Sequence, residues 1–244
     1  MVKISLCIPT MNRWKFLKIN IPKYLANSLI DEIVIVDETG EDYALLKEAY
    51  ASEPKIKLFK NKYKLGPFLN KLECIKKACN EWVCLIDSDN YADEDYFFSF
   101  LSYVNNNPIS NIVYCPSFAK PRFDMRSFEF THIRKDTIKS FLSLGSLQLI
   151  KTLLNAGNYI IHKSSANILT QLINSDDYIK TTAEDVITSD VMYMNYLLLN
   201  EGFELFIVPN MEYEHVCHDT SLCVLFGEGG AEYDKEIFEK FCNL

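Results

Sequence analysis

The chain has 244 residues, of which 48% are hydrophobic, and its formal net charge is −8 at pH 7. This composition is typical of a compact globular protein with a sizeable core, and the acidic balance excludes a nucleic-acid polymer as a partner, because phosphate binding requires a basic surface. The cysteines are scattered without a Cys-x-x-Cys pair, no apolar run approaches the roughly 20 residues of a membrane span, and no signal-peptide pattern follows Met1, so we expect a cytoplasmic protein with reduced thiols and no transmembrane segment.

Strands and helices alternate over the first third of the chain. The predicted strands are 3–9, 31–36, 56–59 and 82–86, and helices are predicted over 14–29, with a break at Pro22, over 43–51 and over 70–80. Strands and helices in regular succession are typical of parallel sheets with right-handed crossovers. The sequence therefore predicts an α/β fold: a single domain over residues 1–244, with a mostly parallel, doubly wound sheet flanked by helices.

The second half of the chain is less regular. Helices are predicted over 96–104, 165–173 and 189–200, the last ended by Gly202, and strands over 112–115, 158–162 and 203–208, the last ending before Pro209. Residues 116–148 have interleaved basic and aromatic side chains. We expect residues 1–115 to bind a cofactor-like ligand and residues 116–244 to complete the site.

The segment Asp87-Ser88-Asp89-Asn90 directly follows the apolar strand 82–86. A strand buried on both faces is typical of parallel α/β sheets, which bind ligands at the carboxyl ends of their strands. Two carboxylates one residue apart can converge on one hard cation, Mg²⁺ or Mn²⁺, which prefers oxygen ligands. The alternative is a solvated acidic turn, and the motif by itself does not decide between the two.

Four segments, taken together and in order, resemble the inverting family 2 glycosyltransferases, which have the GT-A fold. They are an opening Pro-Thr-x-Asn-Arg, a second strand that ends in aspartate, a glycine loop before a helix, and an Asp-x-Asp motif. The matching positions are Pro9, Thr10, Asn12 and Arg13, then Asp37, then Asn61, Gly66, Asn70 and Lys71, and last Asp87, Ser88 and Asp89.

The resemblance implies transfer of a sugar from a nucleoside diphosphate donor, a UDP- or dTDP-sugar, with Mn²⁺ or Mg²⁺ held by the Asp-x-Asp motif and the diphosphate. Such a cation stabilises the charge of the departing diphosphate. The resemblance makes Asp89 the direct metal ligand and Asp87 a contact of the ribose or of a metal-bound water, or a second ligand. Asp37 would bind the nucleotide base, with Arg13 and Lys71 adding positive charge nearby. A turn cap at Asp37 and surface positions for the two cations stay open.

An inverting transfer also requires a general base that deprotonates the acceptor hydroxyl. The family has an acidic residue at a helix start about a dozen residues before a glycine–aromatic step, and Asp190 precedes Gly202-Phe203 at that distance. The helix dipole also favours a carboxylate at a helix start. Asp185 is the alternative base, because the pair Glu184-Asp185 matches the Glu-Asp pair of the family but lies five residues earlier.

Two histidines follow the last predicted strand, within the segment Tyr213-Glu214-His215-Val216-Cys217-His218. In the family a histidine after this strand folds back onto the metal or the diphosphate. We predict His215 as a metal ligand, and His218 as a phosphate contact or a further ligand. A structural role for both stays open, as does a zinc site formed by His215, Cys217 and His218.

The sequence says less about the acceptor, for which a soluble glycan, a protein and a lipid-linked saccharide stay open. Gly157-Asn158 resembles the acceptor-side turn of the family. The segment 133–154 has helical apolar spacing with several basic residues, which indicates either a helix packed on the core or peripheral contact with a membrane surface.

Other functions compete with glycosyl transfer. A sugar-phosphate nucleotidyltransferase requires a glycine-rich loop after the first strand, and a dinucleotide oxidoreductase requires Gly-x-Gly-x-x-Gly there, whereas residues 9–13 contain no glycine. A non-catalytic module that binds nucleotide sugars would keep the same fold. Only turnover separates this last alternative from an enzyme.

Overall fold

The computed structural model describes residues 2–105, 108–143, 147–175, 190–219 and 230–244. The elements of the first part are β1 (Ile4–Thr10), α1 (Trp14–Ala26), β2 (Glu32–Asp37), α2 (Glu41–Tyr50), β3 (Ile56–Lys60), α3 (Pro67–Lys77), β4 (Trp82–Leu85) and α4 (Glu94–Val104). They are followed by β5 (Ile112–Lys120), β6 (Phe123–Asp124), a 3-10 turn (Arg126–Phe128), β7 (His132–Ile133), α5 (Ile138–Ser143), α6 (Leu147–Leu154), β8 (Ile160–His162), α7 (Ser164–Ser175), α8 (Asp190–Asn200), β9 (Glu204–Glu214) and α9 (Gly230–Cys242).

The described strands form one nine-stranded sheet in the order β3-β2-β1-β4-β8-β5-β9-β7, with β6 paired to β5 outside this path. The neighbours β3-β2-β1-β4 are all parallel, as the alternation of strands and helices predicts. Beyond them, β8 runs antiparallel to β4 and β5, and β7 runs antiparallel to β9. The predicted α/β fold is confirmed, but the sheet is fully parallel only in its first half and mixed beyond β4.

Helices cover both faces of the sheet, and the alternation of side chains along each strand decides which layer a residue joins. In β2, Val34 and Val36 belong to the core cluster of α3 and α8, whereas Ile33 and Ile35 belong to that of α1 and α4. Every residue of β2 is buried, as expected of a strand covered on both faces. The buried faces of the two nearest helices include the apolar residues Leu17, Ile21 and Tyr24 in α1 and Phe68, Leu72 and Ile75 in α3.

The parallel half of the sheet brings the predicted site together. Because β1, β2 and β4 are parallel, with Thr10 opposite Asp37, their carboxyl ends lie at one edge. A backbone bridge between Tyr91 and Glu214 adds the end of β9 to the same place. The segments 9–13, 37–38, 87–90 and 214–218 therefore meet at this edge.

β9 differs from its prediction, because it runs through Pro209 to Glu214 instead of ending before Pro209. Its pairing with β5 shifts from Val208 opposite Pro116 to Glu212 opposite Phe118, so β9 has extra residues in this interval. Pro209 lies in this bulge, where its missing N–H interrupts no ladder hydrogen bond.

Pro22 does not divide the first helix, since α1 is continuous from Trp14 to Ala26. A proline leaves the carbonyl four residues earlier without its helical donor, and here that residue is Lys18. Both Pro22 and Lys18 lie on the exposed face of α1, where water can take the place of the missing donor. The predicted break is therefore wrong.

The apolar spacing over 133–154 corresponds to two helices, α5 and α6. Their side chains Ile138, Ile150, Leu153 and Leu154 are buried in the same core cluster as α3 and α8, which favours the core over a membrane surface. Helix α9, which is not among the predicted elements, adds Ile237 and Phe241 to this cluster. Among the described helices, none combines the length and the apolar character that a membrane span requires.

Candidate active site

The turn between β1 and α1 is held by a buried carboxylate on α2. Asp42 accepts hydrogen bonds from the Thr10 hydroxyl at 2.6 Å, from the Arg13 amide at 2.9 Å and from the Trp14 amide at 2.9 Å. It caps α1 from another helix, because Arg13 at the cap position makes no side-chain cap of its own. The segment 9–13, which contains Pro9, Thr10, Asn12 and Arg13 of the predicted donor site, is thus fixed at the edge of the sheet.

Asp37 is fully buried and caps the turn that leads into α2. Its carboxylate accepts hydrogen bonds from the Thr39 amide at 3.2 Å and from the Tyr43 amide at 2.7 Å. Asp37 therefore caps a turn, which is the structural role that the sequence leaves open for it. Contact with a nucleotide base stays a prediction.

Glu38 ties the loop before α3 to β2. One carboxylate oxygen accepts from the Leu65 and Gly66 amides at 2.5 Å each, and the other accepts from the Asn61 side chain at 3.4 Å. Burial raises the pKa of Glu38, and the amide hydrogen bonds oppose that rise. Glu38 is not among the predicted site residues, although its place directly after Asp37 puts it at the same edge.

The predicted residues of this loop also contact one another. Asn61 donates to the Asn70 side chain at 2.8 Å, and Asn70 donates to the Val36 carbonyl at 3.3 Å. Gly66 precedes α3 with a φ of +85°, a conformation that favours glycine. These contacts shape the loop beside Asp37, and direct binding of a donor by Asn61, Gly66 or Asn70 stays a prediction.

Lys71 places its ammonium group between two carboxylates. Its Nζ is 3.1 Å from Asp87 Oδ1 and 2.6 Å from Asp190 Oδ2. Burial by itself lowers the pKa of Lys71, but the two carboxylates outweigh burial and raise the pKa above its ordinary value. Lys71 is therefore a protonated, buried lysine and not the surface cation that the sequence leaves open.

Asp190 is the first residue of α8 and is only 7% exposed. Burial raises its pKa, and the Lys71 ammonium opposes that rise. The dipole of α8 favours a carboxylate at this position. The structure thus brings Asp190 beside Asp87, whereas Asp185, the rival base, lies outside the described residues.

The Asp-x-Asp segment forms a turn that is anchored at its first residue. The Asp87 amide donates to the Asn158 side chain at 2.7 Å, and the Asn90 amide donates to the Asp87 carbonyl at 3.0 Å. Asn158 has a φ of +52°, which asparagine tolerates better than most residues. Ser88 is buried within the turn. The predicted acceptor-side turn Gly157-Asn158 therefore supports the Asp-x-Asp motif directly.

Asp89 is paired with two side chains that can carry positive charge. Its Oδ2 is 3.6 Å from Arg13 Nε and 2.9 Å from His218 Nε2. The His218 ring packs on Phe16, with 4.7 Å between the ring centroids. Arg13 and His218 therefore lie at the motif and contact the Asp89 carboxylate itself, whereas their contacts with a nucleotide or a phosphate stay predictions.

Asn90 joins the motif to the segment after β9. Its side chain accepts from the Val216 amide at 3.0 Å, and its carbonyl accepts from the Asn20 side chain at 3.1 Å. In the same segment, His215 Nδ1 is buried and has no hydrogen-bond partner among the described residues. Burial lowers the pKa of His215, which keeps its imidazole neutral at neutral pH.

The donor atoms at this edge suit a hard divalent cation. Asp87 and Asp89 provide carboxylate oxygens, and His215 provides a neutral imidazole nitrogen without a hydrogen-bond partner in the described chain. The atoms are not assembled into a closed site, because within the described ranges no three His, Cys, Asp or Glu side chains are grouped closely enough to hold a metal ion. Both carboxylates are instead paired with side chains that can carry positive charge.

The alternative zinc site is not supported. Cys217 accepts a hydrogen bond from Arg122 with 3.4 Å between sulfur and nitrogen, and His218 contacts Asp89. His215, Cys217 and His218 are all described, and they do not form a group that could hold a metal ion.

Comparisons with known proteins identify the family and the fold. The family model described as Glycosyl transferase family 2 matches residues 5–155, which is more than half of the chain. The crystal structure of S. aureus TarS 1–349 is similar to this chain, with a TM-score of 0.63 and 14% identity. The match covers 99% of this chain and 71% of the TarS chain. The structure of TarS 1–349 in complex with UDP-GlcNAc matches with a TM-score of 0.65 and 14% identity. This match covers 98% of this chain and 66% of the TarS chain. No curated protein matches this chain by sequence.

At this level of identity the solved structures show the fold alone, and they confirm the predicted GT-A fold. The family match begins in β1 and continues past the Asp-x-Asp motif to the residue after α6. The described site lies at the carboxyl edge of the matched strands. The chain therefore belongs to glycosyl transferase family 2 and is a glycosyltransferase.

Proposed function

We propose that the protein transfers a sugar, with inversion, from a UDP- or dTDP-linked donor to a hydroxyl group of an acceptor, and that it uses Mn²⁺ or Mg²⁺. The observation that carries the proposal is a cluster at the carboxyl edge of the sheet, in which an acidic motif, two cations and a buried carboxylate meet. Its members are Asp87, Asp89, Arg13, Lys71 and Asp190. In support, TarS has been crystallised in complex with UDP and with UDP-GlcNAc.

The proposed reaction is a single displacement. The acceptor oxygen attacks the anomeric carbon, the bond from that carbon to the diphosphate oxygen breaks, and the hydroxyl proton passes to the base. The nucleoside diphosphate leaves from the opposite face, so the anomeric configuration is inverted. Asp190 is the proposed base because it is a carboxylate held 2.6 Å from Lys71, which also contacts Asp87 of the motif. Asp185 is the alternative.

The metal belongs to the donor side of this proposal. A divalent cation, when bound, supplies positive charge that neutralises the departing diphosphate. Asp89 and Asp87 would hold it through carboxylate oxygens, and His215 through the nitrogen that has no hydrogen-bond partner among the described residues. His218 is the proposed phosphate contact or a further ligand, and Arg13 the cation beside the nucleotide.

The two halves of the chain have different proposed partners. Residues 1–115 would bind the donor, with Asp37 as the partner of the nucleotide base. Residues 116–244 would supply Asp190 and receive the acceptor, for which a glycan, a protein and a lipid-linked saccharide are the candidates. The Gly157-Asn158 turn supports this division. It belongs to the second half, and its Asn158 side chain accepts a hydrogen bond from the Asp87 amide of the first half.

Nucleotide release from a panel of donors tests the proposal. The panel contains UDP-glucose, UDP-N-acetylglucosamine, UDP-galactose and dTDP-glucose, each with Mn²⁺ and with EDTA. We expect repeated turnover of at least one donor, with water as a slow acceptor, and loss of turnover in EDTA. Asp190→Asn should lower kcat by about 100-fold or more, the contribution typical of a general base. Full activity of this variant would move the base to Asp185, and binding without turnover would favour a non-catalytic module.

A further inference from the structure

We propose that Lys71 is a positioning residue, which holds the Asp190 carboxylate in place for proton transfer and does not bind the donor diphosphate. The inference rests on the proposed function, in which Asp190 is the base. It differs from the expectation that the sequence raises for Lys71, namely positive charge beside the nucleotide.

Lys71 lies in α3 and reaches two other parts of the fold. Its ammonium is 2.6 Å from Asp190 Oδ2 at the start of α8 and 3.1 Å from Asp87 Oδ1 after β4. Both are distances at which an ammonium donates charge-assisted hydrogen bonds to a carboxylate. A carboxylate that a buried ammonium binds through one oxygen keeps one orientation, and a general base needs a fixed orientation to meet the acceptor hydroxyl.

Burial makes Asp190 dependent on a cation. Its side chain is only 10% exposed, and the Lys71 side chain is 9% exposed. A carboxylate taken out of water without a partner tends to become protonated, and a protonated carboxyl group cannot take the acceptor proton. Lys71 therefore favours the ionised form of Asp190 and also orients its carboxylate.

The contacts of Lys71 also argue against a direct role in donor binding. An ammonium group has three N–H donors. In Lys71 these donors face two carboxylates of the protein, Asp87 and Asp190. Arg13 Nε, by contrast, lies 3.6 Å from Asp89, the predicted metal ligand, on the donor side of the motif. A lysine suits the position of Lys71, because its compact ammonium can donate to carboxylates from two separate elements.

Single and double variants test the inference: Lys71→Met, Lys71→Arg, Asp190→Asn and Lys71→Met/Asp190→Asn. Calorimetry gives the Kd for UDP in the presence of Mn²⁺, and nucleotide release from the panel donor that the wild type turns over gives kcat. We expect Lys71→Met to lower kcat about 100-fold, as removal of a general base does. Its Kd for UDP should stay within about threefold of the wild-type value. Lys71→Arg should recover about tenfold in kcat, since it restores the charge.

The double variant shows whether Lys71 acts through Asp190. If it does, Lys71→Met/Asp190→Asn is no slower than Asp190→Asn alone, because effects of residues that act as a unit do not multiply. A double variant that is slower by the product of the two single effects would overturn the inference. So would Lys71→Met with an unchanged kcat and a Kd for UDP raised about tenfold or more, which would assign Lys71 to the donor.

Lys76→Met is the matched control, because Lys76 lies in the same helix and pairs with Glu73 at the surface at 2.9 Å. It should keep the wild-type kcat and Kd, as surface ion pairs contribute little. Should Lys71→Met unfold, the double variant removes the unpaired carboxylate, and its comparison with Asp190→Asn decides the question. A wild-type protein that turns over no nucleotide sugar would contradict the proposed function itself, before any variant is compared.

Discussion

Two opposing influences act on the pKa of Asp190: burial raises it, and the Lys71 ammonium opposes the rise. The proposed base must be ionised to accept a proton. Turnover should therefore be low at acidic pH and increase as the pH rises through a pKa above that of an ordinary aspartate. Rates of nucleotide release between about pH 4 and pH 9 measure this dependence. A rate that does not change across this range would contradict the assignment of Asp190.

His215 is the residue whose buried nitrogen has no hydrogen-bond partner in the described chain. If this nitrogen binds the divalent cation, His215→Ala should raise the Mn²⁺ concentration needed for half-maximal UDP binding by about tenfold or more. Calorimetry at a series of Mn²⁺ concentrations gives this value. Val216→Ala is the matched control, because it keeps the backbone hydrogen bond to Asn90. An unchanged Mn²⁺ requirement in His215→Ala would remove His215 from the metal site.

The sequence predicts the residues of the motifs but not the residues that hold them in place. Asp87 and Asp89 can be found because their type and spacing are local. Asp42 and Glu38 could not be found in this way, because their partners lie up to 32 and 28 residues away. The pairing of Lys71 with Asp190 spans 119 residues, a separation that no periodic pattern reveals.

Among the elements, α2 stabilises the start of α1 through Asp42. Asp42→Ala removes the acceptor of one hydroxyl and two backbone amides, so the free energy of unfolding should fall by about 2 kcal/mol, at the upper end for a lost cap. Equilibrium unfolding in urea measures the change. Glu41→Ala, at the exposed neighbouring position of α2, is the control and should have little effect. An equal loss of unfolding free energy in both variants would mean that the hydrogen bonds of Asp42 do not stabilise the start of α1.

The Gly157-Asn158 turn and α8 approach each other closely. A Cβ atom on residue 157 would lie 3.0 Å from Val191 Cγ2 and 3.1 Å from Val191 Cγ1. Gly157→Ala should therefore displace the start of α8, lower kcat, and reduce the free energy of unfolding by about 1 to 3 kcal/mol.

A compensating change tests that explanation. Gly157→Ala/Val191→Ala should regain stability relative to Gly157→Ala, because the shorter side chain at position 191 makes room for the new methyl group. Urea unfolding of the two variants gives the comparison. A double variant that is less stable than Gly157→Ala would show that crowding against α8 is not the cause.

Most helices and strands could be predicted because hydrophobic period is a local property. β9 beyond Pro209 could not, since its continuation depends on a bulge opposite β5. The continuity of α1 through Pro22 depends on which face of the helix is exposed, and that is known only once the helix is packed. The local preference of proline to end a helix or a strand therefore gives a wrong prediction at both Pro22 and Pro209.

For the molecule as a whole, the parallel order β3-β2-β1-β4 explains why distant motifs meet at one edge. This half could be predicted, because regular alternation of strands and helices fixes the direction of the strands. The antiparallel insertion of β8 between β4 and β5 could not, because strands and helices do not alternate regularly in the segment 116–148 that precedes it. For the same reason the donor side of the site is better defined by the sequence than the acceptor side.

Binding of a nucleoside diphosphate at the carboxyl edge of the sheet is the property on which the proposed function depends. Calorimetric titration of UDP and of dTDP into the wild-type protein and into Asp89→Ala, with and without Mn²⁺, measures it directly. Asp95→Ala, at an exposed position of α4, serves as the control. We predict that at least one nucleotide binds the wild type only with Mn²⁺, and that Asp89→Ala weakens this binding by about tenfold or more. Binding of neither nucleotide, or equal binding by the wild type and Asp89→Ala, would contradict the proposal.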